Sequence, residues 1–128
     1  MPCKLQILKG YIFRQSNPAV AGIEVLAGNL KVGVGLMKDD GKRITSVKSM
    51  QSEQENIEEA EKGRQLAISM DNVTIGRQVN EGDIIYSVMP ESDFRKLKKL
   101  KEHLKPEEIE AIKEIAGIMR KENPTWGI

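Results

Sequence analysis

The chain is poor in most of what marks a catalytic or membrane-spanning protein. It has one cysteine and one histidine in 128 residues, and these, Cys3 and His103, stand at opposite ends. A lone cysteine forms no internal disulfide, so a reducing, cytoplasmic setting is expected rather than secretion. Two such isolated residues do not make a metal cluster. No apolar run approaches the ~20 residues that cross a bilayer. No signal-peptide pattern opens the chain. Aromatic residues are 4% of a chain that is 39% hydrophobic, so the core must be aliphatic. An excess of one charge is also missing: charged residues are 30%, yet the net charge is +1. That balance excludes a general polyanion-coating protein and leaves room only for a local basic patch. There is no G-x-x-x-x-G-K-[ST] phosphate loop. Gly33-Val34-Gly35 lacks the third glycine and the following helix of a dinucleotide site.

What is present changes character near Pro90. Before it, apolar residues alternate: Leu5 and Ile7; Leu66, Ile68 and Met70; Ile84, Tyr86 and Val88. A period of two places each set on one face of a strand. Asp39-Asp40-Gly41 carries a tight-hairpin signal, and Asn80-Glu81-Gly82-Asp83 a second turn. Short strands at this spacing predict a sandwich or a small barrel, and a barrel removes exposed strand edges. The acidic stretch Ser52–Lys62 reads as a connection with one helical turn, closed by Gly63. Length and layout give a β unit over 1–89 and a helical appendage over 90–128. Met1-Pro2 followed at once by strand-like sequence is the opening expected of a segment from a longer protein.

After Pro90 the period becomes helical. Phe94, Leu97, Leu100 and Leu104 form one stripe; Ile109, Ile112, Ile115 and Met119 form another. Ser92 or Asp93 is the expected cap of the first helix. Pro106 suits the first turn of the second, with Glu107 and Glu108 at its positive dipole end. Asn123-Pro124 stops it. The reading is two antiparallel helices with a very short joint.

No catalytic constellation emerges. His103 lies among lysines and reads as a solvated or packing residue, not a general base. The binding features are few. Phe13-Arg14 sets a planar cation beside an aromatic, which suits phosphate contact or base stacking; spacing alone favours Phe13 as core with Arg14 merely exposed. Lys42, Arg43 and Lys48 lie on one predicted hairpin arm, and Arg64 and Arg77 on others. Gly22 inside a strand marks a bulge or a close backbone approach. The first helix carries Arg95, Lys96, Lys98, Lys99, Lys101 and Lys105, giving a local charge of +3 over Pro90–Lys105. Either this is a solvated face, or it docks an acidic partner.

Three strings, GYIFRQSNPAVAGIEVLAGNLKVG, GKRITSVKSMQ and EEAEKGRQLAISMDNVTIGRQVNEGDIIYS, resemble the last barrel domain of archaeal and eukaryotic translation initiation factor five B. The closing RKENPTW resembles that factor's archaeal ending. The bacterial counterpart is initiation factor two. The resemblance covers essentially the whole chain. It implies a mainly β fold: a closed antiparallel β-barrel of the elongation-factor-Tu domain-two type, followed by two C-terminal helices. It implies a cytoplasmic binding module, not an enzyme, with GTP, Mg and their hydrolysis belonging to a GTPase domain absent here; no cofactor or metal is expected in this chain. The implied partners are the acceptor end of methionyl initiator tRNA, initiation factor one A and the ribosome, during subunit joining. Carried over by motif, the tRNA-end site falls on Gly22 and Ile23 and on Gly63, Arg64 and Gln65, where the bacterial cysteine-glycine is replaced by Leu66-Ala67. Phe13, Arg14 and Lys48 join these as candidate RNA contacts. Arg95, Lys98, Lys99, Lys101 and Ile118 are the candidate partner face: Ile118 and Ala111 lie off the main stripe and lysines border it. The rival reading is a structural or protein-interaction barrel without RNA contact.

Overall fold

The computed structural model describes residues 2–128. Among the described residues nine strands precede the helices: β1 (Lys4–Arg14), β2 (Ala19–Ala27), β3 (Asn29–Lys31), β4 (Gly35–Met37), β5 (Arg43–Ser52), β6 (Glu55–Ile57), β7 (Glu59–Glu61), β8 (Gln65–Met70) and β9 (Ile84–Ser87). The helices are α1 (Glu91–Lys99) and α2 (Pro106–Glu122). Strand order is β4-β9-β1-β2-β8-β5-β6, and β4 also pairs with β5. The antiparallel pairings therefore close into a ring, β4 to β5 and back to β4, with β6 outside it. β3 and β7 form a separate small sheet.

The alternation expected from the sequence fills this ring. Leu5, Ile7, Ile23, Leu36, Met50, Ile68, Met70 and Ile85 point inward and are at most 1% exposed. The core is aliphatic, as the scarcity of aromatics requires. Segment 71–83, between β8 and β9, adds Val73, Ile75 and Val79 to it. These plugging residues lack any period and were not legible as core. The Asp39-Asp40-Gly41 hairpin forms: Gly41 N–H donates to Lys38 O and its φ is +84°. The Asn80–Asp83 turn forms as well, with Gly82 at φ +87°.

Ser52–Lys62 differs from the helical turn expected. It folds as β6 and β7. β6 turns back on β5, with Ser52 opposite Glu55. Glu53 and Gln54 form the tip, both at positive φ (53° and 66°). A two-residue hairpin of this kind normally shows Asn-Gly or Asp-Gly; here that signal is absent. Ala60, 1% exposed, anchors β7 in the core.

The helices cover one side of the ring through a second core. Met37, Tyr86 and Met89 from the barrel wall meet Phe94, Ile112, Ile115, Ala116, Ile118 and Trp126. Each large apolar side chain buried here contributes about 1.5–3 kcal/mol, so this core is what fixes α2. A polar tie adds direction: Lys4 Nζ lies 3.1 and 3.0 Å from the two carboxylate oxygens of Glu114. Tyr86, opposite Lys4 on β9, has its phenol pushed up to about 12, first by burial and then by a hydrogen bond to Glu114.

Pro106 opens α2 as expected, and Glu108 accepts a hydrogen bond from the Lys105 N–H at 3.0 Å. Glu107 is held below the usual carboxylate range by a backbone N–H and then by Lys62 at 3.2 Å. Asn123 ends the helix. The cap of α1 differs from expectation. Pro90 occupies the cap position and no side chain caps the helix; Ser92 and Asp93 fall inside its first turn. The joint between the helices is a 3-10 turn, Lys101–His103.

Gly28, at the end of β2, has φ +69°, and a Cβ there would sit 1.7 Å from Pro2 O. Both the backbone conformation and the space exclude a side chain. Gly28→Val should therefore lower stability by at least about 2 kcal/mol, read as a reduced urea midpoint. An unchanged midpoint would contradict the crossing of Pro2 over Gly28.

Candidate nucleic-acid interface

The β1–β2 hairpin is irregular where it matters. Register shifts separate Ile7 from Ile12 and Ile12 from Arg14. Gly10, at φ +81°, sits in the first of these bulges. Beyond it Ile12 packs against the core, so its neighbours face out: Tyr11 is 57% and Phe13 64% exposed. Phe13 is thus not a core residue, although spacing alone favoured that. Bulges break the alternation on which such a reading rests.

Tyr11 sits close against β2 because of what is missing at Gly22. A Cβ on Gly22 would stand 2.8 Å from Tyr11 Cβ. A close approach is present at Gly22, but its nearest occupant is the Tyr11 side chain rather than backbone. Across the sheet, Gly22 pairs with Ala67 and Ala67 with Gln51; in the next row Val20 pairs with Ser69 and Ser69 with Ser49. Ser49 and Ser69 share a hydroxyl hydrogen bond at 2.5 Å. Gly22, Ala67, Ser69 and Ser49 make a floor of small side chains on the outward face, beside Tyr11 and bordered by Val20 and Gln51. Beside the hairpin end is an open depression of about 460 Å³ lined by Phe13, Arg14, Gln15, Ile75, Asn80 and Glu81. Gln15 fixes it by exchanging hydrogen bonds with the Ile75 backbone. Arg14 Nε donates to Ser16 O at 3.0 Å. Lys48, thrown outward by a bulge in β5, pairs with Asp71 at 3.4 Å.

The structure does not bring all the sequence candidates together. Gly63, Arg64 and Gln65 enter β8 at the far end, where Arg64 O accepts from Val25 N–H and Gln65 donates to Glu24. Lys48 and Asp71 lie past the other end of that strand, about 20 Å away at 3.3 Å per residue. Ile23 is 0% exposed and points into the core, so it presents no side chain to a ligand.

A second concave feature lies between the helices. It is an apolar crevice of about 200 Å³ walled by Phe94, Leu97, Leu104, Ile109 and Ile112, with Lys98, Lys101, Lys113 and Arg120 at its rim. Of the partner-face candidates, Lys98 and Lys101 belong to it. Lys99 does not line it, and Arg95 is drawn to Glu91 at 2.8 Å. Ile118 is a correction: it is 6% exposed and packs in the second core, facing the Asp39–Gly41 hairpin. Lys113 and Arg120 were missed because they stand on the second helix, outside the basic run that drew notice.

No group of three or more His, Cys, Asp or Glu residues could hold a metal among the described residues. No helix among them is long and apolar enough to cross a membrane. Cys3 is buried, its thiol pushed up to about 12 by desolvation.

The elongation factor Tu domain 4 family model matches residues 1–86, which holds the hairpin and its floor. The chain belongs to this family. Its relatives are consistent with that membership. It is 46% identical over 129 residues to the probable translation initiation factor IF-2 of Methanopyrus kandleri, covering 99% of this chain and 21% of that protein. Against the protein of the same description from Metallosphaera sedula the identity is 42%, over 100% of this chain and 22% of that one. The crystal structure of GDP-bound aIF5B from Aeropyrum pernix superposes with a TM-score of 0.90 at 34% identity, over 98% of this chain and 21% of that chain. The chain thus spans about a fifth of the length of the relatives it matches.

Because its thiol is buried, Cys3 should resist thiol reagents in the native protein and react only as the chain unfolds. Labelling of native protein at the rate of a free thiol would show that the β1 end of the barrel opens.

Proposed function

We propose that this chain is the binding module of a translation initiation factor, and that its outward β1–β2–β8 face receives the methionyl acceptor end of initiator tRNA in the cytoplasm, on the ribosome. The observation that carries this is the pairing of Gly22 with Ala67 beside Tyr11. Gly22 of the first matched segment and Ala67, where the second segment ends, are cross-strand neighbours, beside exposed Phe13 and Arg14. The small floor admits a flat group, the aromatics offer stacking surfaces, and Arg14 and Lys48 offer phosphate contacts. With so few cations, affinity is modest, and each neutralised phosphate adds somewhat under one unit of salt slope. GTP binding and hydrolysis are assigned to parts of the factor outside this chain.

A second reading rests on the helical crevice. Its apolar floor and four rim cations complement a peptide of alternating acidic and aliphatic residues, whose apolar side chains would fill the groove while its carboxylates meet the lysines. The resemblance makes the tail of initiation factor one A the candidate. If the crevice binds such a peptide and the barrel face binds no RNA, the chain is the protein-interaction barrel of the rival reading.

An NMR shift titration with methionylated and uncharged initiator tRNA tests the first reading. Shifts should concentrate on residues 11–22 and 67–71 and be larger for the methionylated form. Phe13→Ala should weaken binding by about 1–3 kcal/mol if it stacks on a base. Arg14→Ala should weaken it and lower the salt slope, whereas Arg64→Ala should leave it unchanged. An equal loss from Arg64→Ala would move the site to the opposite end of β8. Equal binding of both tRNA forms would exclude reading of the methionyl end. For the crevice, the pair Lys98→Glu and Lys101→Glu should abolish binding of a peptide alternating Asp and Ile, with the circular dichroism spectrum kept; Lys99→Glu should bind as the parent does. Retained binding in the double variant removes the crevice reading.

A further inference from the structure

The segment after α2 returns across both helices. Trp126, the only tryptophan, is 5% exposed, and its ring centroid lies 4.8 Å from that of Phe94. Its carbonyl accepts from Arg120 Nε at 2.8 Å, and the Arg120 guanidinium stands 5.6 Å over the Phe94 ring. Gly127 N–H donates to Glu91 Oε1 at 2.9 Å, and Arg95 donates to Ile128 O at 3.3 Å. Trp126 to Ile128 therefore bind the start of α1 to the end of α2.

We propose that Trp126 and Gly127 are a clasp that positions α1 and so builds the crevice between the helices; this rests on the crevice reading above for its consequence in binding, but not for the clasp itself. α1 cannot hold its place alone. It has nine residues, no side-chain cap, and Phe94 as its buried residue. A helix of that length is below the ~12–15 residues at which isolated helices become even marginal in water. Phe94 is the shared part: one side of its ring meets Trp126, and it also walls the crevice. Arg120 is shared in the same way, holding the Trp126 carbonyl while standing at the crevice rim. Gly127 makes the fit possible. Its φ is +76°, and a Cβ there would lie 2.6 Å from two atoms of the Phe94 ring. Any side chain at 127 must displace the ring that forms the crevice wall. Trp126 itself does not line the crevice, so it acts through Phe94 and Arg120 as a positioning residue.

The test uses Gly127→Ala and Trp126→Ala in the 128-residue chain. Amide hydrogen exchange is measured across the chain, with titration of a synthetic peptide alternating Asp and Ile. Amides of α1 should lose protection about tenfold or more in both variants, while those of β1, β2 and β8 keep theirs. Peptide affinity should fall about tenfold. Peptide added to the parent chain should change Trp126 fluorescence, although Trp126 does not line the groove. Unchanged α1 protection in both variants overturns the clasp. Lost protection with unchanged peptide affinity overturns its role in building the crevice. Lost protection in the variants, with no peptide binding by the parent at any concentration, removes the crevice reading and upholds the clasp.

Discussion

A three-residue strand holds the barrel shut. β4, Gly35–Met37, is hydrogen-bonded to β9 on one side and β5 on the other. Without it the sheet would have two edges and an open core. Its place depends on side chains as well as backbone: Leu36 is buried in the barrel and Met37 in the second core. The strand therefore couples ring closure to helix docking. Gly35 allows this, because the Arg43 guanidinium lies where a Cβ would come within 2.9 Å. Once closed, the ring fixes the register of β1, β2 and β8, which sets the outward face where Gly22 meets Ala67.

Two cores of different character follow. The inner one belongs to the barrel and is aliphatic throughout. The outer one contains both buried aromatics of the helical region, Phe94 and Trp126, and carries the Lys4–Glu114–Tyr86 contacts. A polar contact of this type gives modest net stability yet discriminates strongly against misplacement, since one partner alone would be left half-buried without a counter-charge. It specifies where α2 lies along the barrel, which apolar packing alone does less sharply.

Legibility in the sequence followed the strength of local periodicity. Strands with clean alternation, such as β8 and the start of β1, and the second helix with its Pro106 start and Asn123 stop were readable. β6 and β7 were not, because Glu53-Gln54 adopts a turn whose usual glycine is absent and the apolar anchor is a single alanine. Phe13 was misjudged because two bulges shift the phase of β1. Ile118 was misjudged because a helix between a barrel and a partner helix buries more than one stripe. Among site residues, Gly22 and Arg14 could be singled out by type, whereas the separation of Lys48 from Arg64 depends on strand register that no local pattern encodes. Tyr11 was missed for the same reason: its seat against Gly22, eleven positions later, depends on cross-strand register.

The floor beside Tyr11 has a thermodynamic consequence. Gly22 has no side-chain torsion, Ala67 has none that matters, and both lie on strands paired on each side. A group settling there finds little on the protein left to freeze. The aromatic neighbours add broad contact with only two torsions each. Ordering on binding falls almost wholly on the incoming molecule, so this face would discriminate by how rigid its ligand already is as much as by what the ligand is made of.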